Sequence, residues 1–385
     1  MTCYHPLKRF TTGFNPETGK SIGKVVPYRV DHLEKRYGDD RFYQVYDPVD
    51  YTTYTINGTK FENMPLKPSD VRIYSDYEVI PCGKCIGCRL DYSRMWSSRL
   101  MAELPYHHEA WFLTLTYNDL CLPSHIVERD GKLVETHSLV KKHFQDFMKR
   151  LRRRFPDGSI KYYCCGEYGS KSMRPHYHAI LFFDSSLQDY VFPNGVINTN
   201  KLHKVQDGYR YYVNRLIDQL WYVSDCPDVS AGFHYLTQVT YETICYVTQY
   251  VTKKLNGDAA SIYQEYDLEP EFSLISTKPA LGRQFYEEHK AEIYADDKFV
   301  FESNGKPVIF RPPAYYDHLF DIEAPEIMSQ KKDKRKELAI NHVDALLRQT
   351  DKDYPAILAD QESAFKSRAS SRMKAKYNKA KGRRV

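Results

Sequence analysis

The segment RPHYHAILFF, residues 174–183, places His176 and His178 one residue apart at the start of an apolar run. Because side chains alternate along a β-strand, the two imidazoles of a strand here lie on one face. Two histidines on one face can bind a divalent metal ion. They can also be two hydrogen-bonded imidazoles in an ordinary buried strand, and the pair alone leaves both interpretations open.

A strand-like segment upstream, IKYYCCGE at residues 160–167, supplies a carboxylate. If residues 160–167 pair antiparallel with residues 176–183, Glu167 lies opposite His176, and directly opposed residues have Cβ atoms about 5 Å apart. Glu167 then joins the two imidazoles in one cluster. A carboxylate and two imidazoles suit a divalent cation with open positions for water or a phosphate oxygen.

The segment YVTQYVTKK, residues 246–254, offers a nucleophile for such a cation. On a helix, Tyr246, Tyr250 and Lys253 line one face. Two core aromatics are the alternative, but an unpaired lysine on the same stripe argues against full burial. A tyrosine beside a metal-polarised phosphate can attack phosphorus, form a phosphotyrosine link and release a 3′-hydroxyl. A neighbouring lysine would stabilise the charge that develops on the phosphate.

Three of the nine cysteines, Cys82, Cys85 and Cys88, are separated by two residues each, a spacing that favours metal binding over disulfides in a reducing compartment. A structural zinc site needs four ligands, and Cys3 is the candidate fourth, with His5 as the alternative. Three reduced thiols without a metal are a second interpretation. An iron–sulfur cluster is a third, and it also needs a fourth cysteine.

The composition is that of a globular chain. Hydrophobic residues make up 42% and charged residues 27% of the 385 residues, which favours two or three folded domains. The apolar runs are too short for a membrane helix, and the first residues lack the apolar core of a secretory signal. We therefore expect an intracellular protein without a membrane partner.

The C-terminal end differs from the rest in charge. Residues 361–385 carry nine Lys or Arg against one Glu. Because the whole chain has a net charge of +5, the other residues sum to −3. We expect this tail to be disordered when unbound and to bind phosphate without sequence preference, with a merely solvated tail as the alternative.

Apolar periodicity and turn signals predict a mixture of strands and helices. The predicted strands are residues 111–117, 160–167, 176–183 and 233–240, and an Asn-Gly pair at residues 304–305 predicts a hairpin. The predicted helices are residues 90–104, 139–155, 209–223, 241–255 and 323–350.

Three segments together resemble a known family. WFLTLTYND (111–119), GEYG…RPHYHAILF (166–182) and YVTQYVTKK (246–254) resemble, in this order, the three motifs of rolling-circle replication initiators. These are the HUH endonucleases, named for the histidine–hydrophobic–histidine pattern that residues 176–178 match. PCGKCIGCR, MTCYHP and KPALG followed by RPPAYYDHLF extend the resemblance over nearly the whole chain. The layout is similar to the initiators of the microviruses, small single-stranded DNA phages, and most of all to the gokushovirus branch.

The resemblance implies an α+β fold with a central five-stranded antiparallel sheet and flanking helices. It implies Mg²⁺ or Mn²⁺ bound by Glu167, His176 and His178. The zinc-stabilised N-terminal region would span residues 1–105 and the HUH nuclease domain residues 106–256. A helical and hairpin accessory region would follow at residues 257–350, and the basic tail at residues 351–385.

The resemblance also implies two tyrosines that alternate as nucleophile, and Tyr246 and Tyr250 match them. The family's motif often has Lys three residues after the first tyrosine, where this chain has Gln249. Lys253 keeps that relation to Tyr250, which favours Tyr250 as the more active nucleophile.

The function implied is a rolling-circle DNA replication initiator that nicks and rejoins a DNA strand. Its expected partners are single-stranded and supercoiled DNA at an origin and a host helicase and polymerase, in the cytoplasm of a bacterial host. A transposase or relaxase of the HUH class is an alternative, although the sequence has no GxxxxGK[ST] motif of a fused helicase. A non-catalytic, zinc-stabilised single-stranded DNA-binding protein is another.

Overall fold

The computed structural model of the protein describes residues 3–46, 53–56, 59–62, 71–156, 158–169, 172–227, 229–252, 254–255 and 257–381. The strands, in chain order, are β1 Leu7–Phe14, β2 Ser21–Pro27, β3 Val30–Arg36, β4 Tyr43–Tyr46, β5 Thr53–Ile56, β6 Thr59–Glu62, β7 Val71–Tyr74, β8 Tyr77–Ile80, β9 Glu109–Thr116, β10 Ser124–Arg129, β11 Lys132–His137, β12 Ile160–Tyr168, β13 Pro175–Phe183, β14 Asn200–Gln206, β15 Tyr209–Asn214, β16 His234–Gln238, β17 Phe272–Ile275, β18 Phe299–Ser303 and β19 Lys306–Phe310.

The α-helices are α1 Ile86–Glu103, α2 Lys141–Arg152, α3 Arg215–Leu220, α4 Tyr241–Thr248, α5 Ser261–Glu265, α6 Arg283–Asp296, α7 Ala314–Glu323, α8 Pro325–Leu347 and α9 Tyr354–Lys381. Short 3-10 helices lie at Leu104–Tyr106, Leu187–Asp189, Gln249–Thr252 and Gly257–Ala260. Within the described ranges, none of these helices has the length and apolar character that a membrane crossing requires.

The chain forms two compact units. The first combines Met1–Cys88 with Asp333–Val385, and the second is Arg89–Lys332. The first unit contains the antiparallel sheets β2-β1-β8 and β6-β5-β4-β3-β7. The predicted regions 1–105, 106–256, 257–350 and 351–385 stay predictions.

The second unit is built on one sheet with the strand order β14-β15-β16-β9-β13-β12-β17, in which neighbouring strands are antiparallel. The histidine strand β13 lies inside it, between β9 and β12. An antiparallel sheet with flanking helices agrees with the expected α+β class, but the expected five strands are wrong. Within the described residues this sheet has seven strands, because the hairpin β14–β15 extends one edge and β17 extends the other.

The predicted helix over residues 209–223 is wrong in its first part, where the structure has strand β15. The side chain of Asn214 accepts hydrogen bonds from the N–H groups of Leu216 and Ile217 and so caps helix α3. A side-chain oxygen at this position satisfies N–H groups that the first turn of a helix leaves without partners. The helical spacing of apolar residues therefore applies only after this cap.

Alternation along the strands gives the central sheet two faces. On the face called here the α1/α4 face, sheet residues pack with helix residues in one apolar cluster of Phe112, Tyr163, Ile180, Phe182, Trp96, Leu100, Ile244 and Val247. On the α2/α3 face the cluster contains Leu113, Leu115, Tyr177, Leu181, Phe144, Phe147, Leu151, Leu216 and Leu220. Glu167 and His178 share the α1/α4 face, so the apolar core on both sides of the sheet fixes the backbone beneath them.

The predicted helix over residues 241–255 is interrupted. Thr240 and Thr243 form a reciprocal capping pair that starts α4, but α4 ends at Thr248 and a 3-10 helix follows over Gln249–Thr252. Tyr246 therefore lies on α4 and Tyr250 on the tighter turn after it.

The C-terminal tail is helical in the structure, where the sequence predicts disorder. Helix α9 runs from Tyr354 to Lys381, and the Asp353 carboxylate accepts a hydrogen bond from the Ala356 N–H at its start. The tail is rich in Ala, Lys and Arg, which are strong helix formers. High charge alone does not distinguish a disordered tail from a solvated helix.

Candidate active site

The hairpin β12–β13 brings the predicted ligands together. Its register places Glu167 opposite His176 and Cys165 opposite His178. This confirms the pairing inferred from the sequence. Glu167 Oε1 lies 2.6 Å from His176 Nε2 and 3.2 Å from His178 Nε2. One ligand atom from each of the three residues falls within 4.8 Å of the others.

The second nitrogen of each imidazole has its own oxygen partner. His176 Nδ1 lies 3.1 Å from the Arg174 carbonyl oxygen, and His178 Nδ1 lies 3.0 Å from Thr114 Oγ1. An Nδ1–H that donates to such an oxygen leaves Nε2 as the nitrogen available to a metal ion, the usual arrangement of metal-binding histidines. The donor atoms and their partners therefore fit a divalent cation, and Glu167 is 2% exposed.

The His178 ring is fixed between two aromatic rings. Phe112 stacks on it at 5.5 Å between centroids and 10° between planes, and Tyr250 stacks on it at 5.0 Å and 6°. Tyr246 contacts it edge-on at 5.6 Å and 77°. Packing from both sides restricts the imidazole to one orientation, which pre-organises the cluster for its ligand.

The two tyrosines lie side by side, with ring centroids 4.8 Å apart, but they differ in access. Tyr246 is 46% exposed, whereas Tyr250 is 2% exposed. Burial raises the pKa of Tyr250, and the Glu167 carboxylate and Tyr246 raise it further. A buried phenol beside a carboxylate is hard to ionise, so the exposed Tyr246 is the better placed of the two to meet a substrate.

A cavity of about 300 Å³ opens beside Tyr250 on the α1/α4 face. Residues of α1, β12 and β17 and of the segment after α4 line it, including Tyr92, Gly166, Phe272 and Lys254. The Lys254 carbonyl accepts a 2.7 Å hydrogen bond from the Arg89 guanidinium. Lys253, the third residue of the predicted catalytic stripe, lies outside the described residues.

The four predicted zinc ligands also come together, in the first unit. The Sγ atoms of Cys3, Cys82, Cys85 and Cys88 lie within 4.8 Å of one another. The Cys82–Cys88 and Cys3–Cys85 sulfur pairs are each 3.9 Å apart. That is too far for a disulfide, and it is close to the edge of about 3.8 Å that a tetrahedron with Zn–S bonds of about 2.3 Å would have.

Backbone N–H groups point at these sulfurs. Cys82 Sγ accepts from Lys84 N at 3.4 Å and from Cys85 N at 3.3 Å, and Cys3 Sγ accepts from Cys82 N at 3.3 Å. Such donors favour thiolates, the form that binds metal. Burial opposes ionisation of Cys85, but the N–H groups of Cys88 and Tyr4 lower its pKa to about 7, whereas burial raises the pKa of Cys3 to about 11.

The alternative fourth ligand, His5, is engaged elsewhere. Its Nε2 lies 2.9 Å from a carboxylate oxygen of Glu362 on α9. The four sulfurs therefore form the better ligand set, and their donor chemistry and spacing fit a structural zinc ion.

Sequence reasoning missed Thr114 and Phe112, which hold His178 in place. The register pairs His178 with Thr114 across β9 and β13. A signal was present in WFLTLTY, because alternation puts Phe112, Thr114 and Thr116 on one face. Which of the two faces meets the histidines depends on the pairing of distant strands, and the sequence alone does not give that pairing.

Comparisons with known proteins agree with this geometry. A family model for the phage replication-associated protein ORF2 and its relatives matches residues 110–255, which include the Glu–His–His cluster and both tyrosines. No solved structure matches the chain.

Two phage proteins are similar over most of their length. The chain is 30% identical to replication-associated protein ORF2 of Spiroplasma virus 4 over 321 residues, 81% of this chain and 85% of that protein. It is 29% identical to replication-associated protein VP4 of Bdellovibrio phage phiMH2K over 264 residues, 67% of this chain and 74% of that protein. The chain therefore belongs to the family of phage replication-associated proteins, of the microvirus rolling-circle type.

Proposed function

We propose that this replication protein is a site-specific DNA endonuclease and strand transferase of the HUH type. It nicks one strand at a replication origin, stays linked to the 5′-phosphate through a tyrosine, and later rejoins the strand. The observation that carries the proposal is the contact between the half-exposed Tyr246 and the His178 ring of the Glu–His–His cluster. A nucleophile beside a cation site is what phosphodiester cleavage by tyrosine needs.

Glu167, His176 and His178 would hold Mg²⁺ or Mn²⁺, and the four cysteines would hold Zn²⁺. When bound, the catalytic cation supplies Lewis-acid stabilisation of the scissile phosphate. The protein's own contribution is orientation: Thr114 and the Arg174 carbonyl fix the imidazole tautomers, and Phe112 and Tyr250 fix the ring of His178.

The nick is a transesterification that balances without an external energy source. The Tyr246 oxygen forms a bond to phosphorus, the bond from phosphorus to the 3′ oxygen breaks, the phenol proton leaves and the 3′ oxygen gains one. The phosphodiester energy is kept in the phosphotyrosine link. The 3′-hydroxyl that is released can prime synthesis, and the same chemistry in reverse rejoins the strand.

Tyr246 would act first and Tyr250 second, the opposite of the preference suggested by Lys253. Support comes from exposure, because Tyr246 is open to solvent while Tyr250 is buried with a raised pKa. The cavity beside Tyr250 leaves room for its ring to turn toward the phosphate after Tyr246 has been consumed. Lys253 would stabilise the charge on the phosphate.

The proposed partners are single-stranded and supercoiled origin DNA and, at the fork, a helicase and polymerase of the bacterial host, in its cytoplasm. The cations of residues 361–385 would add phosphate contacts without sequence preference.

The decisive experiment is a search for a denaturation-resistant protein–DNA adduct. Full-length protein is incubated with single-stranded fragments of its own replicon and Mn²⁺ and then run on a denaturing gel. Tyr246→Phe should reduce the first adduct by at least about 10³-fold, because the nucleophile is lost. Tyr250→Phe should keep that adduct and lose strand rejoining, and Tyr37→Phe, which changes another exposed tyrosine, should behave as the unaltered protein.

Two outcomes would change the proposal. An adduct that survives Tyr246→Phe but not Tyr250→Phe would restore Tyr250 as the first nucleophile. Absence of an adduct on all fragments, with DNA binding intact, would make the protein a non-catalytic single-stranded DNA-binding protein.

A further inference from the structure

A row of side chains leads away from the Glu–His–His cluster across the α1/α4 face. His178 pairs with Thr114 on β9, and Thr114 pairs with Tyr235 on β16. The Tyr235 ring lies 6.3 Å from the ring of Tyr211 on β15. Burial and the Asp207 carboxylate raise the pKa of Tyr211, and Tyr246 contributes to the rise, which places Tyr211 near the proposed nucleophile.

The row continues onto the edge strand β14 with a cation and an imidazole. Lys204 pairs with Tyr211 in the sheet, and its Nζ lies 4.9 Å from the Tyr235 ring centroid and 5.2 Å from that of Tyr211. The His203 ring lies 5.3 Å from Tyr235. Tyr235, Tyr211, Lys204 and His203 are called here the aromatic row. Lys204 and His203 are exposed, and both tyrosines are half-buried.

The two faces of the same strands are used differently. On the α2/α3 face, Tyr212 packs edge-on against Trp111 at 5.8 Å, as a core aromatic does. On the α1/α4 face, the neighbouring Tyr211 meets a lysine and another half-exposed tyrosine instead. Aromatic rings interleaved with cations at a surface are the usual platform for single-stranded nucleic acid, because bases stack on the rings and cations contact phosphate.

We propose that the aromatic row binds the single-stranded DNA on one flank of the scissile phosphate. This proposal rests on the proposed function, which places that phosphate at the Glu–His–His cluster. Strands lie about 4.8 Å apart, so the four spacings from β13 to β14 span roughly 19 Å. At the spacing of about 3.4 Å between stacked nucleotides, the row accommodates about six nucleotides of one flank. The contacts would be independent of sequence, since any base can stack on a tyrosine.

The test measures binding of oligonucleotides whose two flanks are lengthened separately, with the full-length protein. Tyr211→Leu and Tyr235→Leu should each raise the Kd about tenfold, and only for oligonucleotides that carry about four or more nucleotides on one particular flank. Lys204→Ala should reduce the slope of log Kd against log salt by about one. The matched control is Arg210→Ala, which removes one charge from the same hairpin on the α2/α3 face, and it should leave the flank dependence unchanged.

A second readout does not depend on the folding of variants. 2-Aminopurine placed at successive positions of the oligonucleotide should be quenched by the unaltered protein at positions within that flank. Equal Kd values for both tyrosine variants at every flank length, or an equal loss in Arg210→Ala, would overturn the proposal. Its failure is distinct from failure of the proposed function, because the latter appears as the absence of an adduct whatever the flank-dependent binding.

Discussion

The thiol cluster and the Glu–His–His cluster each gather ligand atoms within 4.8 Å, but their ligands and surroundings differ. The thiol cluster has four soft donors with 3.9 Å sulfur–sulfur edges and backbone N–H groups aimed at the sulfurs. The Glu–His–His cluster has three harder donors beside a half-exposed tyrosine and a cavity of about 300 Å³.

The difference indicates different roles. Four sulfurs complete a tetrahedron and leave no position for a substrate, as in structural zinc sites. Three donors of the carboxylate and imidazole type leave positions open, as in catalytic sites. The thiol cluster should therefore control stability, and the Glu–His–His cluster should control chemistry. Substitutions that separate these two properties test the comparison.

The largest effect is expected for Glu167→Gln. The change keeps the size of the side chain and removes the charge that the proposed cation needs. Adduct formation should fall by at least about 10³-fold, since cation catalysis is worth several kcal/mol. The free energy of unfolding, measured with urea, should change little, because Gln still reaches His176. A variant that loses stability and activity in parallel would show that Glu167 holds the fold rather than the cation.

Cys85→Ser should have the opposite profile. Loss of one of four buried sulfurs should lower the stability of the first unit by roughly 3 kcal/mol, as expected when a structural metal site is damaged. The zinc content of the purified protein, measured by mass spectrometry, should fall below the value for the unaltered chain. Adduct formation at low temperature should persist, because the substituted residue lies in the unit that lacks the tyrosines.

Cys226→Ser provides the control for this experiment. Cys226 is half-buried and lies outside the thiol cluster, so its substitution should leave both zinc content and unfolding unchanged. Normal zinc content in Cys85→Ser would contradict the assignment of the four sulfurs as one site.

Both clusters were predictable from the sequence for local reasons. The short loop between residues 167 and 176 constrains β12 and β13 to pair nearly symmetrically, and this fixes Glu167 opposite His176. The spacing of Cys82, Cys85 and Cys88 likewise limits their positions. Cys3 was harder, because its approach depends on the path of the N-terminal strand.

The errors arose where distant contacts decide local structure. Residues 209–214 have apolar residues at helical spacing, but they form a strand because β14 and β16 offer backbone partners. The exposure of Tyr246 and the burial of Tyr250 follow from the end of α4 at Thr248 and the packing of the next turn on His178. A helix pattern places the two tyrosines on one face but does not say which one faces solvent.

The smallest effect is expected for Thr114→Val, which tests how the Glu–His–His cluster is oriented. Valine has nearly the shape of threonine but cannot accept the hydrogen bond from His178 Nδ1. Loss of a partner of this kind costs roughly 10- to 100-fold in metal affinity. The Mn²⁺ concentration for half-maximal adduct formation should therefore rise about tenfold, while the rate at saturating Mn²⁺ should stay within about twofold. Thr114→Ser keeps the hydroxyl and should restore the original Mn²⁺ dependence.

A purely structural role for Thr114 would give a different pattern. It would lower the rate at all Mn²⁺ concentrations and would not be rescued by serine in the Mn²⁺ dependence alone. The same substitution should leave the zinc content unchanged, because the thiol cluster has no ligand in β9. A Mn²⁺-specific defect with intact zinc would thus separate the oriented, open cluster from the closed one by a single hydroxyl group.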